Sequence, residues 1–161
     1  HEGKICIDKL NIKDLDINSY QNLFSYISQD NYLIDTTIYE NLIIGIDKKI
    51  TNKDELNKQI RDALNQVDGL FVYDLPLKLQ TRVGEGAKFL SGGEKQKICI
   101  ARALLQRAEI LIFDETSSGL DKNSRLKFDK MIESLKKSYT IIEVDHTKLI
   151  NNREEVNLIS L

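Results

Sequence analysis

The sequence predicts an α/β fold built on a parallel sheet, and three neighbouring segments carry that prediction. Ile110-Leu111-Ile112-Phe113 is a short unbroken apolar run ending in Asp114-Glu115. A run this short is expected to be a strand covered on both faces, as parallel strands are. Thr140–Val144 is a second such run and is expected to be fully buried. Between them, Lys122–Leu135 has helical spacing, with Leu126, Met131, Ile132 and Leu135 facing inward. Strand, helix, strand at this spacing is the βαβ pattern.

From the N-terminus, Gly3 to Asp8 alternates like a strand, with Ile5 and Ile7 on one face. A second alternating stretch, Asn11 to Ile17, turns Ile12, Leu15 and Ile17 inward. Ser19 is placed to cap a short helix through Phe24, with a strand following near Tyr26-Ile27-Ser28. Thr36 to Ile44 is predicted helical, with Ile38 and Leu42 in its stripe and Gly45 as its stop. Residues 53–67 form an amphipathic helix on Leu56, Ile60, Ala63, Leu64 and Val67. The pattern weakens over Asp68–Leu79, where Pro76 breaks any helix. Ser91 and Glu94 then make a capping box before the run Gln96–Gln106, whose buried stripe is Ile98, Ala101 and Leu105. Val156–Leu161 reads as a weaker third strand.

Composition bounds the function. The 161 residues are 41% apolar and 30% charged, which is ordinary globular composition. With 23 Lys and Arg against 25 Asp and Glu, the formal charge of −2 gives no field for holding nucleic acid. No apolar run approaches the length of a membrane span. Cys6 and Cys99 lie far apart inside apolar stretches and read as buried free thiols in a reducing compartment. Two histidines exclude a multi-histidine metal centre.

Chemistry concentrates in a few places. Ser91-Gly92-Gly93-Glu94 puts two glycines at a helix start, where unpaired amides and the helix dipole favour an anion. Glycine there costs about 1 kcal/mol per residue against alanine, so something should offset it. Asp114 and Glu115 end a buried strand, on the sheet edge where ligands bind in open α/β folds. One such carboxylate can hold Mg2+ and its neighbour can orient or deprotonate a water. His146 and Gln29 each follow a predicted strand and reach the same edge.

Taken together, Leu90–Glu94, Ala101–Leu104, Ile110–Glu115, Ser118–Asp121 and His146 closely resemble the nucleotide-binding domain of ATP-binding cassette (ABC) transporters. Residues 90–94 resemble its signature motif, with Glu94 where Gln is usual. Residues 110–115 resemble the Walker B strand with its catalytic glutamate, and residues 118–121 the D-loop, with Gly119 where Ala is common. His146 matches the switch histidine and Gln29 the Q-loop glutamine. Thr37–Leu42 is similar to the Thr-Ile-x-Glu-Asn segment of exporters, and Thr81–Gly86 to the exporter loop that meets the membrane domains.

The resemblance implies a partial P-loop ATPase core, formed by residues 1–30 and 107–161, with an inserted helical subdomain at 31–106. It implies ATP and Mg2+ as cofactors. Asp114 and Gln29 would be placed at the metal, and Glu115 and His146 would be catalytic. Ser91, Gly92, Gly93, Glu94, Gln29 and Asp121 would bind nucleotide. The implied partners are transmembrane domains and a second nucleotide-binding domain at the cytoplasmic face of the cell membrane, with no nucleic acid. No Gly-x-x-x-x-Gly-Lys-Ser/Thr motif occurs in the sequence, and in the family it precedes the position matching Gly3. The chain therefore reads as the C-terminal part of the domain, inactive alone, with an unpaired strand edge at Thr140–Val144 that invites dimers or local disorder. Two rivals are a soluble ABC-type ATPase of DNA repair or chromosome maintenance and a non-catalytic regulatory module. The first fits badly because Asp30–Lys88 has no sustained heptads, and the second because Glu115 and His146 are both present.

Overall fold

The computed structural model describes residues 3–46, 52–84 and 88–144. Its centre is a three-stranded parallel sheet. β3 (Phe24–Ile27) and β5 (Thr140–Val144) flank β4 (Ile110–Asp114). Phe24 pairs with Ile110, Ile27 with Phe113, and Asp114 with Val144. A smaller hairpin joins β1 (Cys6–Ile7) to β2 (Leu10–Asn11). Its turn residues, Asp8 and Lys9, both have positive φ, as a two-residue hairpin turn requires. The helices are α1 (Ile17–Gln21), α2 (Ile38–Leu42), α3 (Lys53–Gln66), α4 (Gly92–Leu105) and α5 (Lys122–Leu135).

The alternation of strand residues decides the packing. Ser25 and Ile27 of β3 and Leu111 and Phe113 of β4 point to one side and are buried there. α4 lies against β3 on this side, and Phe128 of α5 meets Phe113 edge to face at 6.0 Å. The buried Ser25 hydroxyl donates to Gln106 Oε1 at 2.8 Å, so it is not stranded in the core. α4 also packs on α2 and α3, where Ile38, Leu42, Ile60, Leu64 and Ile98 are all fully buried.

Several expectations change at the N-terminus. The stretch from Asn11 to Ile17 is not a strand but a 3-10 turn over Ile12–Asp14 followed by α1. Ile17 is exposed rather than inward. Ser19 lies within α1 instead of capping it, and Phe24 begins β3. Alternation misled here because short apolar residues in a turn and a one-turn helix also recur every second position. Asp68–Leu79 holds two short 3-10 turns, Leu70–Asp74 and Lys78–Gln80. On α5, Leu126 is exposed and Phe128 takes the inward place. Cys6 is half-buried rather than buried, and it and Cys99 are free thiols. β5 is half-buried rather than fully buried, and among the described residues it has a partner strand on one side only. Val156–Leu161 lies outside the described residues.

One fully buried polar residue, Asn41 of α2, ties the approach to that helix. Its amide accepts from Ile34 N and donates to the carbonyls of Ile34 and Thr37, each at 3.0 Å. Asn41→Ala would strand the Ile34 backbone groups, at about 1–3 kcal/mol. The expected result is a lowered urea midpoint with an unchanged m-value, measured by circular dichroism.

Candidate functional site

α4 begins where the capping box places it. Ser91 N donates to the Glu94 carboxylate at 2.7 Å, and Glu94 N donates back to Ser91 Oγ at 3.3 Å. Both partners therefore serve the helix start, and the Ser91 hydroxyl keeps its own proton to donate outward. Ser91, Gly92 and Gly93 are exposed. Neither glycine has positive φ, and a Cβ built on either meets nothing within 4 Å. Nothing in this chain therefore requires glycine at 92 or 93. Gly119 differs, because its φ of +79° explains it by backbone alone.

The other site residues hang from the C-terminal end of β4. Asp114 is half-buried and accepts a short hydrogen bond from the Tyr26 phenol, which reaches across from β3. That carboxylate holds the Tyr26 proton more tightly than usual, with desolvation adding to the effect. Glu115 is half-buried, with φ at 51°, and its amide donates to Val144 O at 2.9 Å. The chain thus turns sharply as it leaves the sheet. The next residues, Thr116 and Ser117, are buried, and Gln96 of α4 donates a short hydrogen bond to the Thr116 carbonyl.

Asp121 caps α5, accepting from Asn123 N at 2.9 Å, Ser124 N at 3.0 Å and the Ser124 hydroxyl at 2.8 Å. The bonds from Ser124, then Asn123, hold its carboxyl below the usual range. Gln29 follows β3 and donates from Nε2 to Ser118 Oγ at 3.0 Å.

These elements border one cavity of about 510 Å³, lined among others by Gln29, Ser91, Gly92, Gly93, Glu94 and Asp121. It unites all six residues expected to contact nucleotide. Asp114 and Glu115 stand at the sheet edge without lining it. His146 lies outside the described residues, as do Glu85 and Gly86. Among the described residues no three His, Cys, Asp or Glu side chains converge as a metal cage. The donors present, a carboxylate and the Gln29 amide, are hard oxygens, which suit a Mg2+ that keeps its waters and binds phosphate.

Sequence reasoning passed over Tyr26, Gln96 and the individual role of Ser118. A Tyr three residues before Gln29 and facing the Asp114 side of the sheet was the available signal. The two exporter-like segments are joined: Ile38 N donates to Thr81 O at 3.0 Å and Val83 N to Thr36 O at 2.9 Å. Arg82 adds a long ion pair to Asp35, at 3.7 Å.

Gly93→Ala should leave the fold intact and raise stability by up to about 1 kcal/mol, read from the urea midpoint. Because the Asp121 carboxyl is lowered in the folded state, its contribution is complete above the unfolded value of about 3.9 and fades as pH falls below it. Asp121→Asn should therefore flatten the acid limb of a plot of urea midpoint against pH.

Known proteins resemble this chain in sequence and in fold. A family profile described as ABC transporter matches residues 1–118. An ATP-dependent lipid A-core flippase of Francisella tularensis is 36% identical over 147 residues, covering 91% of this chain and 23% of the flippase. Multidrug resistance protein 1 of Plasmodium falciparum is 39% identical over 148 residues, covering 91% of this chain and 10% of that protein. A bacterial Atm1-family ABC exporter with ATP bound superposes with a TM-score of 0.75 at 31% identity, covering 91% of this chain and 25% of the exporter. The chain thus spans about a quarter or less of the length of these relatives. Its fold is a mixed helix and sheet structure matching part of the P-loop ABC ATPase fold. Family profile, relatives and fold agree that this chain belongs to the ABC transporter family, within the exporter-type nucleotide-binding domains.

Proposed function

We propose that this chain works as part of an ATP-hydrolysing cassette whose closure against a second cassette drives an exporter. The observation that carries this reading is the pair of exposed glycines at the start of α4. Each costs about 1 kcal/mol against alanine and neither is needed by the fold. A ligand or partner that must approach the Gly92 and Gly93 amides closely supplies the missing reason, and the γ-phosphate of an ATP seated on the opposite cassette has the right charge.

The remaining roles follow from position. Asp114, with one oxygen engaged by Tyr26, offers its other oxygen to Mg2+, and Gln29 offers an amide oxygen. Mg2+, when bound, would neutralise charge on the nucleotide phosphates. Glu115 lies one residue further on the strained turn, where its carboxylate can orient and deprotonate the attacking water. His146 is proposed as the γ-phosphate contact and Asp121 as the link to the second cassette. Residues 31–106 are read as the helical subdomain, and residues 1–30 with 107–161 as the core. The surface made by segments 36–38 and 81–83 is proposed to meet the transmembrane domains. Those domains would place the cassette at the cytoplasmic face of the membrane.

Glu115→Gln in the whole protein tests this reading. ATP turnover should fall by about 10²-fold or more, while ATP-dependent association of two cassettes, read by gel filtration, persists. Unchanged turnover overturns the role of Glu115. The 161-residue chain alone should show no micromolar ATP affinity by calorimetry, because it holds no phosphate-loop motif.

A further inference from the structure

A single hydroxyl connects two of the site residues, and its hydrogen-bond direction carries information. Ser118 Oγ lies 2.7 Å from the carbonyl of Glu115 and 3.0 Å from Nε2 of Gln29. A carbonyl only accepts, so Ser118 Oγ is the donor in its bond to Glu115, whose carbonyl also accepts from Ser118 N at 3.1 Å. The Ser118 oxygen is then left as an acceptor, and of the two ends of the Gln29 amide only the NH2 end can donate to it. While the hydroxyl proton stays on the Glu115 carbonyl, the opposite amide orientation would set two acceptors 3.0 Å apart with no proton between them.

We propose that Ser118 is the positioning residue that fixes which end of the Gln29 amide faces the site. With NH2 held by Ser118, Gln29 Oε1 is turned away from the loop after β4 and presented to a cation or its water. It is not presented as a donor to phosphate. This inference rests on the cassette reading and narrows the role of Gln29 within it to the metal side. The same hydroxyl braces the carbonyl of Glu115, whose φ of 51° is rare for a residue other than glycine. The amide orientation of Gln29 and the turn that carries Glu115 are thereby set together.

Two measurements test it. In the 161-residue chain, Ser118→Ala should abolish hydrogen-exchange protection of the Gln29 side-chain NH2 seen by NMR, and Ser118→Thr should retain it. In the whole protein, Mn2+ uptake with a non-hydrolysable ATP analogue, read by electron paramagnetic resonance, should weaken about tenfold in Ser118→Ala. In the same variant, half-saturating Mg2+ for ATP turnover should rise more than kcat falls. Gln29→Glu presents oxygen in either orientation, so in that background Ser118→Ala should cost nothing further in Mn2+ affinity. An equal penalty in both backgrounds, or an unprotected Gln29 amide in the wild type, overturns the role of Ser118. A wild-type protein with no nucleotide-dependent Mn2+ uptake overturns the cassette reading and this inference with it. That outcome is distinct from normal uptake left unchanged by Ser118→Ala, which overturns the role of Ser118 alone.

Discussion

Everything in the site depends on the burial of β4. Leu111 and Phe113 are fully buried, and the strand is hydrogen-bonded along both edges by β3 and β5. Removing one such side chain would cost about 2–5 kcal/mol, so the strand has no freedom to slide. A one-residue slip would also exchange its two faces. Asp114 therefore leaves the sheet at a fixed height beside Tyr26, and Glu115 must begin the turn. The Glu115 amide pays for its left-handed backbone with a bond to the last residue of β5. Core packing sets the height at which the chain carrying the carboxylates leaves the sheet.

How legible each part was depended on how far its pattern extends. α5 and β5 have the expected bounds, because Lys122–Leu135 and Thr140–Val144 carry sustained helical and apolar signals. The capping box at Ser91 located the start of α4 for the same reason: two residue types at a fixed offset name one geometry. Within the first 20 residues, the strand expected over Gly3–Asp8 is present as Cys6–Ile7, whereas the alternating stretch Asn11–Ile17 and the Ser19 cap are not. A two-residue strand, a 3-10 turn and a one-turn helix are each shorter than the period by which they would be recognised. Asp8-Lys9 also lacks the Asn-Gly or Asp-Gly signal of a tight hairpin, although both residues adopt positive φ.

The motifs were legible as residues but not as neighbours. Thr36–Ile38 and Thr81–Val83 are separated by more than 40 residues, yet two backbone hydrogen bonds lay them side by side. The link is local in cause. Thr37 caps α2 through a box with Glu40, which fixes the chain entering the helix. Asn41 then holds the preceding turn from inside the core. The Thr36 carbonyl and Ile38 amide are left facing outward, and residues 81–83 satisfy them. A surface formed this way is stiff, because its hydrogen bonds are backed by fully buried Ile38, Leu42 and Val83. Stiffness is the property a surface needs if it is to pass a displacement to another domain instead of absorbing it.

Apart from the Gln96 amide, the positioning residues that sequence reading missed have one chemistry in common. Tyr26 donates to Asp114, Ser118 orients Gln29, and Ser124 donates to Asp121. Each is a hydroxyl fixing a group that the motif already named. A hydroxyl suits this task because it donates and accepts at once and brings no charge. It can hold a carboxylate or amide in one orientation without neutralising it, whereas a lysine or arginine would cancel a carboxylate's charge. Hydroxyls are also common on any surface, so their spacing carries no signal until the backbone brings them within reach. Acids at a sheet edge and glycines at a helix start announce a site in the sequence. The groups that aim them become visible only once β3, β4 and the loop after β4 lie in place.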